Sequence, residues 1–182
     1  MFIKLIMAIL CLQSFSGISM HANEPVPYDK IASKIIKSAS DRLSKKHHME
    51  IIGVKQSMMG CVKLIGFRFQ VYRKLSKDEA RAIVIDCAQS FLAEINQNEA
   101  IRKDLQVYPF DSEHIEVVLF IDRPDRGTFY HPDLAVVATR RGQVTYTTND
   151  PDHKYKYKSE ETESFEEAVK ILQNQASSNQ TP

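Results

Sequence analysis

Cys61-Val62-Lys63-Leu64-Ile65-Gly66-Phe67-Arg68-Phe69-Gln70-Val71-Tyr72-Arg73 is the stretch that decides the fold class. Ile65, Phe67, Phe69 and Val71 alternate with Gly66, Arg68, Gln70 and Tyr72. A period of two puts the first set on one face and the second on the other. The segment is therefore a strand covered by a core on one side and open to water on the other, as in an antiparallel sheet with one solvated face.

Working outward, residues 49–56 read as a partner strand, joined through Ser57–Gly60. On the N-terminal side, residues 27–46 begin with Pro27, a favoured first helical position. Tyr28, Ile31, Ala32, Ile35, Ala39 and Leu43 then recur at spacings of three and four, the stripe of an amphipathic helix. On the C-terminal side, Ser76 and Glu79 form a capping-box pair at the start of a helix over residues 77–96. Its buried stripe is Ala80, Val84, Cys87, Phe91 and Ile95. The helical pattern continues or restarts through Ile101 and Leu105, and Pro109 ends it.

Three more strands follow at His114–Asp122, Leu134–Thr139 and Gln143–Thr148, the last two joined across Arg140-Arg141-Gly142. Lys154–Lys158 alternates Lys with Tyr and is a sixth, edge-strand candidate. A last helix starts near Ser164, which pairs with Glu167 in a second capping box. The order α-β-β-α-β-β-β-α, with one apolar face per helix, predicts an α+β two-layer sandwich. It has a mostly antiparallel sheet of five or six strands and three helices on one face.

The chain has 182 residues, with 43% hydrophobic and 26% charged. These values suit one ordinary globular domain and exclude collagen-like and wholly disordered classes. The start, MFIKLIMAILCLQSFSGISMHANE, has Lys4 before the apolar run Leu5–Leu12 and small residues after it. That is the pattern of an export signal peptide over residues 1–22, cut after Ser19 or Ala22. The expected organisation is that leader, a single domain over residues 23–172, and a disordered polar tail over residues 173–182. The chain is expected in a bacterial periplasm or outside the cell, with no transmembrane segment in the mature form.

Residues 24–77 carry 12 Lys and Arg against 4 Asp and Glu, whereas residues 78–182 carry 11 against 19. Such polarity either steers an anionic partner to one face or is neutralised where the two regions pack together.

Four groups of residues are candidates for chemistry. Cys61 and Cys87, in an oxidising compartment, are a candidate disulfide whose loop closure is worth roughly 3 kcal/mol in chain entropy; the alternative is two buried thiols. Asp122, His131, Asp133, Asp150 and His153 are expected at one end of the sheet. Carboxylates and imidazoles converging there suit a divalent cation or acid–base hydrolysis. Their Asp-Pro and Pro-Asp contexts equally suit turns capped by aspartate. Lys154, Tyr155, Lys156 and Tyr157 offer cations beside aromatic rings for an anionic envelope component, or an edge protected from aggregation by lysine. Arg68 and Tyr72 lie on the polar face of their strand, which suits either a platform for a protein partner or an ordinary solvated sheet face.

No catalytic signature is present, no cofactor is expected beyond a divalent cation at the acidic end, and no nucleic acid is expected as partner. The leading expectation is an exported, non-catalytic protein-interaction or binding module. The alternatives are a metal-dependent or acid–base hydrolase at the Asp/His-rich end, and a small-ligand carrier.

Overall fold

The computed structural model describes residues 27–178, so the expected leader and the last four residues of the polar tail lie outside it. In chain order the elements are α1 (Pro27–His47), β1 (Glu50–Ser57), β2 (Leu64–Val71), α2 (Lys77–Gln97), α3 (Glu99–Arg102), β3 (Ile115–Ile121), β4 (Val136–Arg140), β5 (Gln143–Asn149), β6 (Tyr157–Ser164) and α4 (Phe165–Ser178). The six strands form one sheet in the order β1-β2-β3-β4-β5-β6.

The class is α+β, but the sheet is mixed rather than a run of hairpins. β2 and β3 pair in parallel, with Phe67 opposite Val117, and all other neighbours are antiparallel. The connection between β2 and β3 runs through α2, and a helix crossover returns the chain in the same direction. The four helices are one more than expected. At Asn98 the backbone leaves the helical region (φ −82, ψ 103), and its side chain accepts from Ala100 N and Ile101 N to start the single turn of α3. An Asx cap of this kind ends one helix and opens the next.

Inner-face residues of the sheet, among them Ile65, Phe67, Phe69, Ile115, Val117, Leu119, Val137 and Tyr146, join one core with α1, α2 and α4. Phe67 meets Phe91 of α2 edge to face at 4.9 Å between ring centroids. Ser76 caps α2 with the reciprocal Glu79 bond, and Ser164 and Glu167 do the same for α4. Arg141 (φ 50) and Gly142 (φ 66) make a two-residue loop between β4 and β5, both in the left-handed region that such hairpins demand.

Two sequence expectations need correction here. Lys154–Lys158 is not a strand up to Lys156. Asp150 N donates to Lys156 O and Lys156 N donates to His153 O, which folds the segment into a turn. The edge strand instead runs through Tyr157–Ser164, whose residues are polar on both faces and carry no apolar alternation. The tail expected from Gln173 is helical through Ser178, where Ser177 and Ser178 donate back to the carbonyls of Gln173 and Asn174.

The charge asymmetry along the chain is largely met inside the fold. Arg42 pairs with Glu94, Lys46 and His47 with Asp86, Lys55 with Glu116, Lys74 with Asp133 and Lys77 with Glu161. Each couples the basic first part to the acidic remainder. No helix among the described residues is long and apolar enough to cross a membrane.

Candidate functional site

The face of the sheet turned away from the helices holds a groove of about 540 Å³. All six strands contribute to it. Val118, Phe120, Val136 and Ala138 make an apolar floor on β3 and β4, with Thr145 and Thr147 beside it on β5. Ile52 of β1 rims one side, and Tyr157 and Glu160 of β6 rim the other. The period of two explains the arrangement. Register pairs Arg68 with Val118 and Val118 with Ala138, so these side chains share the outer face.

The central strand is unusual for a one-sided sheet. Ile115–Ile121 reads Ile-Glu-Val-Val-Leu-Phe-Ile, an apolar run on both faces except for Glu116. Such runs belong to strands covered from both sides, as parallel pairs usually are. Here the inner face has its helices, while Phe120, Val136 and Ala138 remain partly open to solvent.

Glu116 anchors the basic end of the groove. Its side chain is only 1% exposed. Lys55 Nζ donates to its Oε2 at 3.0 Å and Arg140 Nε donates to the same oxygen at 2.9 Å. Arg68 Nη2 stands 3.8 Å from Oε1, an ion pair without a hydrogen bond. Burial opposes ionisation of Glu116, but the bonds from Arg140 and Lys55 outweigh it and hold the carboxyl below its ordinary range. Gly66 makes room for this cluster. A Cβ there would lie 3.2 Å from both Glu116 Cβ and Lys55 Cβ.

The groove continues past Phe120 into a shallower hollow of about 340 Å³ lined by Gln70, Asp122, Thr128, Asn149, Tyr155 and Tyr157. Of the residues expected at a docking surface, Arg68 and Tyr157 line the main groove and Tyr155 and Tyr157 the hollow. Tyr72 lies under the Arg126 guanidinium, 5.3 Å from its ring centroid. Lys154 and Lys156 are on the exposed turn rather than on the edge strand expected there.

The acidic and imidazole residues expected together are dispersed. Asp122 accepts from Gln70 Nε2 at 3.0 Å on the outer face. His131 contacts Thr148 Oγ1 at 3.2 Å and Asp133 pairs with Lys74 at 2.6 Å, both lining a cleft beside the start of α2. Asp150 caps its own turn, accepting from Asp152 N and meeting His153 Nδ1 at 3.0 Å. The Asp152 backbone bond first, then His153, hold its carboxyl below the usual range. Among the described residues no group of three or more His, Cys, Asp and Glu is placed to hold a metal ion. Of these aspartates Asp150 acts as the turn reading expects, while Asp122 and Asp133 are held by Gln70 and Lys74.

Cys61 and Cys87 are both free thiols rather than a disulfide. Cys61 lies half-buried in the loop between β1 and β2, and Cys87 is buried on the inner stripe of α2. Burial pushes the Cys87 thiol up to about 12, the inert state of a core cysteine.

Sequence reasoning named Arg68 and Tyr157 but missed Lys55, Glu116, Val118, Phe120, Val136, Ala138 and Arg140. One signal was legible: Glu116 is the lone charge in an apolar strand, and a charge so placed needs partners close by. The chain matches no protein-family model, no curated protein and no solved structure.

Proposed function

We propose that this chain is an exported, non-catalytic interaction module that receives a protein partner on the open face of its sheet. The observation that carries the reading is the outer face of β3 and β4. Phe120, Val136 and Ala138 stay partly exposed beside the buried Val118 in a groove of about 540 Å³. Apolar strips of this kind, rimmed by polar and charged groups, mark docking surfaces. The leader pattern at residues 1–22 supports export. The acidic residues that motivated a hydrolase are each engaged locally, so nothing favours that alternative over docking.

The test is capture from envelope extracts of the producing cell. Wild-type protein is compared with Ala138→Arg, which plants a bulky cation in the groove floor. Lys37→Gln, on an exposed position of α1, is the control. Loss of the same co-purifying protein from the Ala138→Arg sample alone supports the reading. Equal recovery with all three, with their unfolding midpoints matched, moves docking away from this face.

A further inference from the structure

The shape and charge of the groove name the kind of partner, on the premise that the open face is where a partner docks. Its floor lies on the middle strands and its rims, Ile52 and Tyr157 with Glu160, on the two edge strands. The surface is therefore concave across the sheet. Six strands at about 4.8 Å spacing span about 24 Å between edges, room for one helix of about 10 Å diameter with its side chains. Strands extend a sheet at its edges, whereas helices cover its faces. A second copy docking through the same face would bring two hollows together, and these do not nest.

Charge then selects among helices. At one end of the groove three cations, Lys55, Arg68 and Arg140, surround a single carboxylate, Glu116. Lys55 and Arg140 already donate to it. The Arg68 side chain makes no hydrogen bond among the described residues and stands in an ion pair 3.8 Å from Glu116 Oε1. With three cations about one carboxylate, this end carries excess positive charge beside an apolar floor. Outside the described residues the chain holds one acidic side chain, Glu24, followed directly by Pro25.

We propose that the groove binds an amphipathic helix of another protein, its apolar side seated on Phe120, Val136 and Ala138 and an acidic side chain paired with Arg68. Arg68 reads the acid bidentately, as guanidinium groups do, and the floor supplies the contact area. The cationic end also suits the negative C-terminal end of the helix dipole.

The experiment places a photo-crosslinking amino acid at Thr145, which lines the groove, in the full chain within the cells that make it. The adduct is mapped by mass spectrometry, and the captured segment is then synthesised and titrated with the protein by circular dichroism. The expected result is a segment with Asp or Glu flanking apolar residues at helical spacing, whose helicity rises on binding. Arg68→Gln should lower the adduct yield about fivefold, the scale of one partly exposed ion pair, and the effect should shrink in high salt. A groove adduct with a segment that is basic, that stays non-helical, or whose yield ignores Arg68→Gln overturns this inference and leaves face docking intact. An adduct with lipid, with nucleic acid or with a second copy overturns it as well. Failure to form any adduct at Thr145, with the protein folded and exported, overturns both this inference and the reading on which it rests.

Discussion

Arg81 of α2 grips Glu163 of β6 with two nitrogens, Nε to Oε1 at 2.7 Å and Nη2 to Oε2 at 3.2 Å. Both side chains are largely buried, and Tyr146 of β5 donates its hydroxyl to the same carboxylate. Asp78 meets the guanidinium from the first turn of α2. Removing Arg81 strands an ionised carboxylate where water is scarce. Arg81→Met is expected to cost about 3–5 kcal/mol, measured by urea unfolding. The double variant Arg81→Met/Glu163→Met should recover most of that loss, because a buried pair replaced by apolar groups is nearly neutral. A double variant as unstable as the single one would show that the pair does more than neutralise itself.

Acid should loosen the same contact. Burial raises the Glu163 carboxyl, yet the bonds from Arg81 and Tyr146 outweigh it and hold the group below its ordinary value of 4.5. A carboxyl lowered in the folded state contributes its full stability above that ordinary value. The contribution is lost as pH falls through the glutamate range toward the folded-state value. Glu116 and Asp86 are lowered too and add to the same trend. Urea midpoints should therefore fall from pH 6 to pH 3. Glu163→Gln should be less stable than wild type at pH 7, and the gap should narrow as the solution is acidified. A gap that stays constant would mean the carboxylate charge is not what stabilises the contact.

Gly66 controls the geometry of the basic end. Its missing side chain lets Lys55 and Glu116 lie over β2. Gly66→Val places branched carbon against both, and overpacking of this kind costs about 1–3 kcal/mol. The variant should also free Lys55 and Arg140 from Glu116. Proton NMR titration should then show the Glu116 carboxyl closer to the usual glutamate range. An unshifted titration would mean the cluster tolerates the added carbons.

The two cysteines should behave differently toward an alkylating reagent. In native protein at pH 8, iodoacetamide should label Cys61, in its half-buried loop, and spare Cys87. Cys87, with its thiol raised to about 12 by burial, should react only at the rate of unfolding. Recovery of a Cys61–Cys87 disulfide peptide from exported protein would contradict the free thiols described here.

Local signals carried the sequence reading furthest. The capping pairs Ser76–Glu79 and Ser164–Glu167 are written in adjacent residues and sit where expected. The alternation from Ile65 to Tyr72 placed Arg68 on the outer face, where it lines the groove. Features built by distant pairing were not legible. The parallel alignment of Phe67 with Val117 depends on how α2 carries the chain back, which no short window contains. The edge strand was expected too early, at Lys154–Lys158, because the polar residues of β6 are held by neighbours, Glu163 by Arg81 above all, and not by an apolar stripe. At the acidic end of the sheet the residues left a cation site and self-capping turns both open. Sequence proximity of Asp150 and His153 marked a turn closing on itself rather than two ligands converging on an ion.

The one parallel pairing among the six strands also bears on how the molecule assembles. β1 with β2, and β3 through β6, are each joined by antiparallel neighbours close in sequence, so each can zip locally. The β2–β3 seam spans the whole of α2 and its following loop, and closing it requires ordering some forty intervening residues. That seam is where two locally formed halves must meet. Its amides, from Ile65 to Val71 and from Ile115 to Ile121, should therefore exchange with solvent only when the entire chain opens.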